Sequence, residues 1–130
     1  MKVAVGIGCD RGTPLATLET ALSQALAEAG LAPEAIVLLA SITLKADEPG
    51  LLTLAARLSC PLRFYSPEEL AAVPVPHPSE VVRRHTGTPS VAEAAALLAA
   101  GAPMQDLIVE KHRYRGPDGR NATVSIARMS

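Results

Sequence analysis

Aromatic side chains are nearly absent: the chain has no Trp, one Phe and two Tyr. It therefore offers no stacking platform for bases, and a formal net charge of −1 leaves no basic surplus to follow a phosphate backbone. Both observations argue against a dedicated nucleic-acid binder. Cysteine is scarce too. Cys9 and Cys60 are too few for a disulfide framework, and reduced thiols in a cytoplasmic setting are expected. No apolar run approaches the ~20 residues that a membrane helix requires, so no membrane partner is expected. No charged and apolar leader precedes the first strand, and a chain without a signal peptide is expected. His77, His85 and His112 stand singly and apart from both cysteines, so neither a metal site nor a cofactor is expected.

What is present is aliphatic. Hydrophobic residues make up 48% of the 130 positions, which excludes disorder. That length suits one domain over 1–130, with a core built from Ala, Leu, Val and Ile.

Val3 to Ile7 reads as a buried strand that runs into a glycine-rich turn carrying Gly8, Cys9, Arg11 and Gly12. Thr13-Pro14 opens a helix with Leu15, Leu18, Leu22, Ala25, Leu26 and Ala29 on one stripe, and Gly30 ends it. Ile36 to Ile42 reads as a second buried strand. Asp47 is placed to cap a second helix, and Pro61 to Phe64 reads as a third strand. Ser66-Pro67-Glu68-Glu69 has a capping-box pattern, and the prolines from Val73 to Pro78 impose an extended loop. A short helix is expected from Ser79 to His85, ending at Gly87. Ser90-Val91-Ala92-Glu93 reads as another capping box, opening an alanine-rich helix that stops at Gly101. Asp106 to Lys111 and Ala122 to Ala127 flank Gly116-Pro117-Asp118-Gly119 and read as a hairpin. The order predicts an α/β domain: a mostly parallel five-stranded sheet with helices on both faces and a C-terminal antiparallel hairpin. The first strand is expected to be internal.

Open α/β sheets place ligands at the carboxyl ends of their strands, so the residues there are the candidates. The Gly6-x-Gly8 segment reads either as an anion cradle before a helix N-terminus or as a turn that needs glycine for its conformation. The G-x-G-x-x-x-G spacing and the lack of an acid after the second strand argue against a dinucleotide site. Cys9 has no base nearby in sequence and reads as a small thiol rather than a nucleophile. Lys45 and Glu48 follow the second strand. They read as a solvated charge and a first-turn helix acid, or as a carboxylate partner and a base. Glu93 fits a capping role. Lys111, His112, Arg113, Arg115 and Arg120 form a basic hairpin end, with Arg83, Arg84 and His85 nearby in sequence. They make either a solvated tip or a rim that attracts a polyanion.

Four segments in this order resemble the CobE/CbiG family of cobalamin biosynthesis. They are Gly6 to Thr13, Ala40 to Leu51, Thr86 to Leu97, and the closing pieces Val109-Glu110-Lys111 and Thr123 to Arg128. The resemblance covers nearly the whole chain, and its length is that of the stand-alone CobE form, similar to the C-terminal domain of CbiG. It implies a role in the corrin pathway with a precorrin, a polycarboxylate tetrapyrrole, as ligand. CbiG proteins open a lactone ring of cobalt-precorrin-5A and release acetaldehyde, and they carry a further N-terminal region. Family motifs carry over to Gly6, Gly8, Cys9, Arg11, Gly12, Lys45, Glu48, Ser90, Glu93 and Lys111, while Asp10 stands where the pattern is often basic. On this resemblance the ligand-binding candidates are Gly8, Cys9, Arg11, Gly12, Ser90, Glu93 and Lys111, and the catalytic ones Lys45 and Glu48. Three functions are open: binding and carriage of a precorrin with assistance to lactone opening, a lactone hydrolase in its own right, and a scaffold for other corrin-pathway enzymes.

Overall fold

The structure, a computed structural model, describes residues 1–80, 83–84 and 90–129. Five strands form one sheet: β1 (Val3–Cys9), β2 (Ile36–Ile42), β3 (Leu62–Tyr65), β4 (Leu107–Arg115) and β5 (Asn121–Arg128). Their spatial order is β3-β2-β1-β5-β4. β1, β2 and β3 pair in parallel, and β5 runs antiparallel to both β1 and β4. β1 to β4 therefore point one way and only β5 opposes them. β1 is central, as expected, and β4 rather than β5 forms the outer edge.

Helices α1 (Leu15–Ala29) and α2 (Pro49–Leu58) cover one face. Helices α3 (Pro67–Ala71) and α4 (Val91–Ala100) cover the other. β1 shows why. Val3, Val5 and Ile7 join the core under α1 and α2, while Ala4 joins the core under α4. The period-2 alternation thus separates large from small side chains.

Gly6 and Gly8 also point to the α4 face. They do not form the expected turn: both lie within β1, paired with Ser125 and Thr123. A Cβ on Gly6 would stand 2.0 Å from the Ala92 carbonyl oxygen and 2.6 Å from the Ala96 nitrogen. The strand is glycine here because the helix backbone crosses directly over it. The turn itself is Asp10–Thr13, where Gly12 takes a φ of 78°.

Other boundaries shift for local reasons. Asp47 does not cap α2. Glu48 takes that position with Pro49 at the first helical residue, and Asp47 pairs with Arg11 instead. The Ser66 capping box forms with Glu69. The Ser90–Glu93 box does not, because the Glu93 carboxylate turns onto His77. Both hairpin strands run longer than expected, since β5 pairs along the whole of β1. The expected helix from Ser79 to His85, with its stop at Gly87, lies largely outside the described residues.

A bulge in β4 decides which of its side chains reach each face of the sheet. Val109 faces Ile126 and His112 faces Val124, so three steps on β4 match two on β5. The extra residue puts His112 on the α1 face, where its ring meets Gln24 and Glu28. It also leaves Lys111 on the α4 face beside Arg113.

Candidate functional site

The carboxyl end of β1 is the switch point of the sheet: β2 lies on one side and β5 on the other. A cleft of about 590 Å³ opens there on the α4 face, within the range of small-molecule sites. Gly8, Cys9 and Asp10 form its floor. Ile42 and Lys45 bound it on the β2 side, and Lys111, Arg113, Asn121 and Thr123 on the hairpin side. Ser79 and the start of α4, Ser90 to Ala92, close the rest.

Among the described residues, the cleft therefore gathers three cations, Lys45, Lys111 and Arg113, around a helix N-terminus. The Asp10 carboxylate that lines it is occupied: Oδ2 accepts from the Asn121 amide at 2.8 Å and from its side chain at 3.1 Å. Lys111 Nζ donates to the His77 carbonyl at 3.2 Å. Burial lowers the Lys111 pKa from its ordinary value, with Glu93 opposing the shift and Arg113 adding to it. Burial likewise pushes the Cys9 thiol up to about 11, against the pull of Lys45. Cys9 is thus a neutral thiol near pH 7.

Four sequence candidates converge on the cleft with Gly8: Cys9, Lys45, Ser90 and Lys111. The others support it from behind. The Gly12 amide donates to both oxygens of Glu48 at 3.1 Å, and Arg11 reaches the same carboxylate at 3.1 Å. Arg11 also bonds Asp47 at 2.8 Å and the Leu44 carbonyl. Glu48, 3% exposed, thus ties the β1 turn to the β2 turn and does not face the cleft. Glu93 is fully buried. Its two oxygens accept from the His77 amide at 3.2 Å and meet His77 Nδ1 at 2.9 Å, which pins the proline-rich loop over the sheet.

Sequence reading missed Asp10, Asn121, Thr123 and His77 in these places. Asn121 and Thr123 reach the cleft through strand pairing alone, so no local signal marks them. Among the described residues, no group of three or more His, Cys, Asp or Glu is placed to hold a metal ion.

Residues 3–127 match the family model described as Cobalamin synthesis G C-terminus. The chain belongs to this family. Its relatives include a cobalt-precorrin-5A hydrolase of Priestia megaterium, 37% identical over 125 residues. That match covers 96% of this chain but 32% of the relative, so the chain spans about a third of the hydrolase's length. Protein CobE of Sinorhizobium sp is 40% identical over 111 residues, covering 84% of this chain and 71% of that protein. The crystal structure of CobE, a protein from the cobalamin biosynthetic pathway, superimposes with a TM-score of 0.80 at 37% identity. It covers 99% of this chain and 91% of that one. Membership in the Cobalamin synthesis G C-terminus family bears out the CobE/CbiG resemblance and makes this a cobalamin-biosynthesis domain of CobE/CbiG type. Among the described residues, no helix is long and apolar enough to cross a membrane.

Proposed function

We propose that the cleft at the end of β1 binds a precorrin, in the cytoplasm, through the carboxylate arms of the macrocycle. The observation that carries this is the gathering of Lys45, Lys111 and Arg113 beside the apolar Ile42, Val91 and Ala92. A polycarboxylate ring needs that combination: cations and N–H donors for its rim, and an aliphatic wall for its face. Lys45 is the cation proposed to act on the ligand. Glu48 is a positioning residue that ties the turn after β1, next to Cys9, to the turn that carries Lys45.

Assistance to lactone opening is the accompanying reaction. Adding water across a lactone gives a hydroxyl and a carboxylate, and in this reading Lys45 neutralises the carboxylate's charge. The hydrolase name of the Priestia megaterium relative favours this over simple carriage. Incubating the purified protein with precorrin intermediates, and following co-elution and mass together, tests the proposal. Co-elution with a gain of water supports binding with opening, and co-elution at unchanged mass supports carriage. Absence of co-elution contradicts the proposal and leaves a scaffold for other pathway enzymes.

A further inference from the structure

Ser90 holds a polar atom for which the fold supplies no partner. The residue is 1% exposed, and its Oγ is the buried side-chain oxygen left without a hydrogen bond among the described residues. A serine at the N-cap of a helix ordinarily accepts from the amides two or three residues on. Here the backbone is extended, at φ −159° and ψ 114°, and the side chain makes no cap. Glu93, the reciprocal member of a capping box, is taken by His77. The first amides of α4 thus receive nothing from either side chain, although helix N-termini call for acceptors.

The space in front of these groups is kept open. A Cβ on Gly8 would come within 3.6 Å of Val91 Cβ and 3.9 Å of the Ala92 nitrogen. Lys45 and Lys111 flank the same space. Asp10, which lines the cleft, and Glu93, on the first turn of α4, are each held by other partners. What remains is one unpartnered hydroxyl, the N–H groups of a helix end and the charges of two ammonium ions, one of which, Lys111, also donates to the His77 carbonyl; they share one complement, a carboxylate.

We infer that the amino end of α4 is a carboxylate subsite. Ser90 Oγ and the amides of Val91 and Ala92 hold one acid arm of the ligand, and Lys45 and Lys111 balance its charge. This rests on the cleft being the tetrapyrrole site, and it names the point where one arm docks.

Titrating the full ¹⁵N-labelled chain with sodium propionate, against sodium chloride at equal ionic strength, tests the subsite without the macrocycle. Saturable shifts of the Ser90, Val91 and Ala92 amides are expected with propionate alone. Ser90→Ala should weaken them about tenfold, the effect of losing one bond to a charged group. Ser90→Asp carries its own acceptor into the N-cap position. It should abolish the propionate response and raise the Tm of the free protein. Amides that do not respond, or respond equally to chloride or only to inorganic phosphate, would overturn the subsite, as would a lowered Tm in Ser90→Asp. Should that variant fail to fold, the Ser90→Ala titration decides alone. A parallel titration with uroporphyrin, an octacarboxylate, separates the two claims. Propionate shifts without uroporphyrin binding would retain the subsite and reject the tetrapyrrole cleft. Uroporphyrin binding with these amides unmoved by propionate would do the reverse.

Discussion

Glu48 and Glu93 are both buried carboxylates, and each spends its oxygens on a backbone amide of a loop rather than on the cleft. The sequence could name them because Glu48 follows the carboxyl end of the second strand and Glu93 stands at the capping-box offset from Ser90. It could not say which way they turn, since Gly12 and His77 meet them only through the tertiary fold. Glu48→Ala should leave the Gly12 amide unpaired and cost about 1–3 kcal/mol of stability, measurable by urea denaturation. Cys9 permits a pH prediction. Its folded pKa lies near 11, above the ordinary 9.0, so the native thiol is still neutral where the unfolded one ionises. The thiol's contribution is complete below pH 9 and is lost as pH rises towards 11. Wild type should therefore lose more stability than Cys9→Ser across that window, and Cys9 should alkylate slowly at pH 7. Equal pH profiles for the two proteins would contradict the assignment.

Most helices and strands were legible because their apolar periods are clean. β1 is the instructive case. Val3, Ala4, Val5, Gly6, Ile7 and Gly8 alternate large and small, and that period separates the α1 face from the α4 face. A glycine-rich segment suggests a turn, yet glycine in a strand also serves where another backbone comes close, and Ala92 does so here. Gly6→Ala should cost about 3 kcal/mol or more, because the clash is with helix backbone that cannot rotate away. Thermal unfolding would show it, and a neutral result would mean that α4 sits further from β1. The β4 bulge was not legible. Its extra residue breaks the alternation across Glu110 and Lys111, and only the register with β5 shows that Lys111 and Arg113 share a face.

For the whole molecule, the order β3-β2-β1-β5-β4 does what a near-neutral composition conceals. It brings Lys45 from one side of β1 and Lys111 and Arg113 from the other to one edge of the sheet. Element order predicted the fold class. The insertion of β5 beside β1, which closes the cleft on the hairpin side, depends on long-range pairing that no short segment encodes. Attraction gathered in this way is local and partly screened, so affinity for a polycarboxylate should fall as salt rises. Arg120 is the internal control. It is basic and close in sequence, yet it is paired with Asp118 at 3.1 Å on the outer turn and bonded to the Arg11 carbonyl. The most direct measurement is an absorbance titration of wild type, Lys45→Ala and Arg120→Ala with a precorrin. A charge-assisted contact in the cleft is worth about 1.5–3 kcal/mol against roughly 0–1 for an exposed pair. The account predicts a loss of at least about tenfold for Lys45→Ala and little change for Arg120→Ala. Equal affinities for all three proteins, or no binding by wild type at any salt, would contradict it.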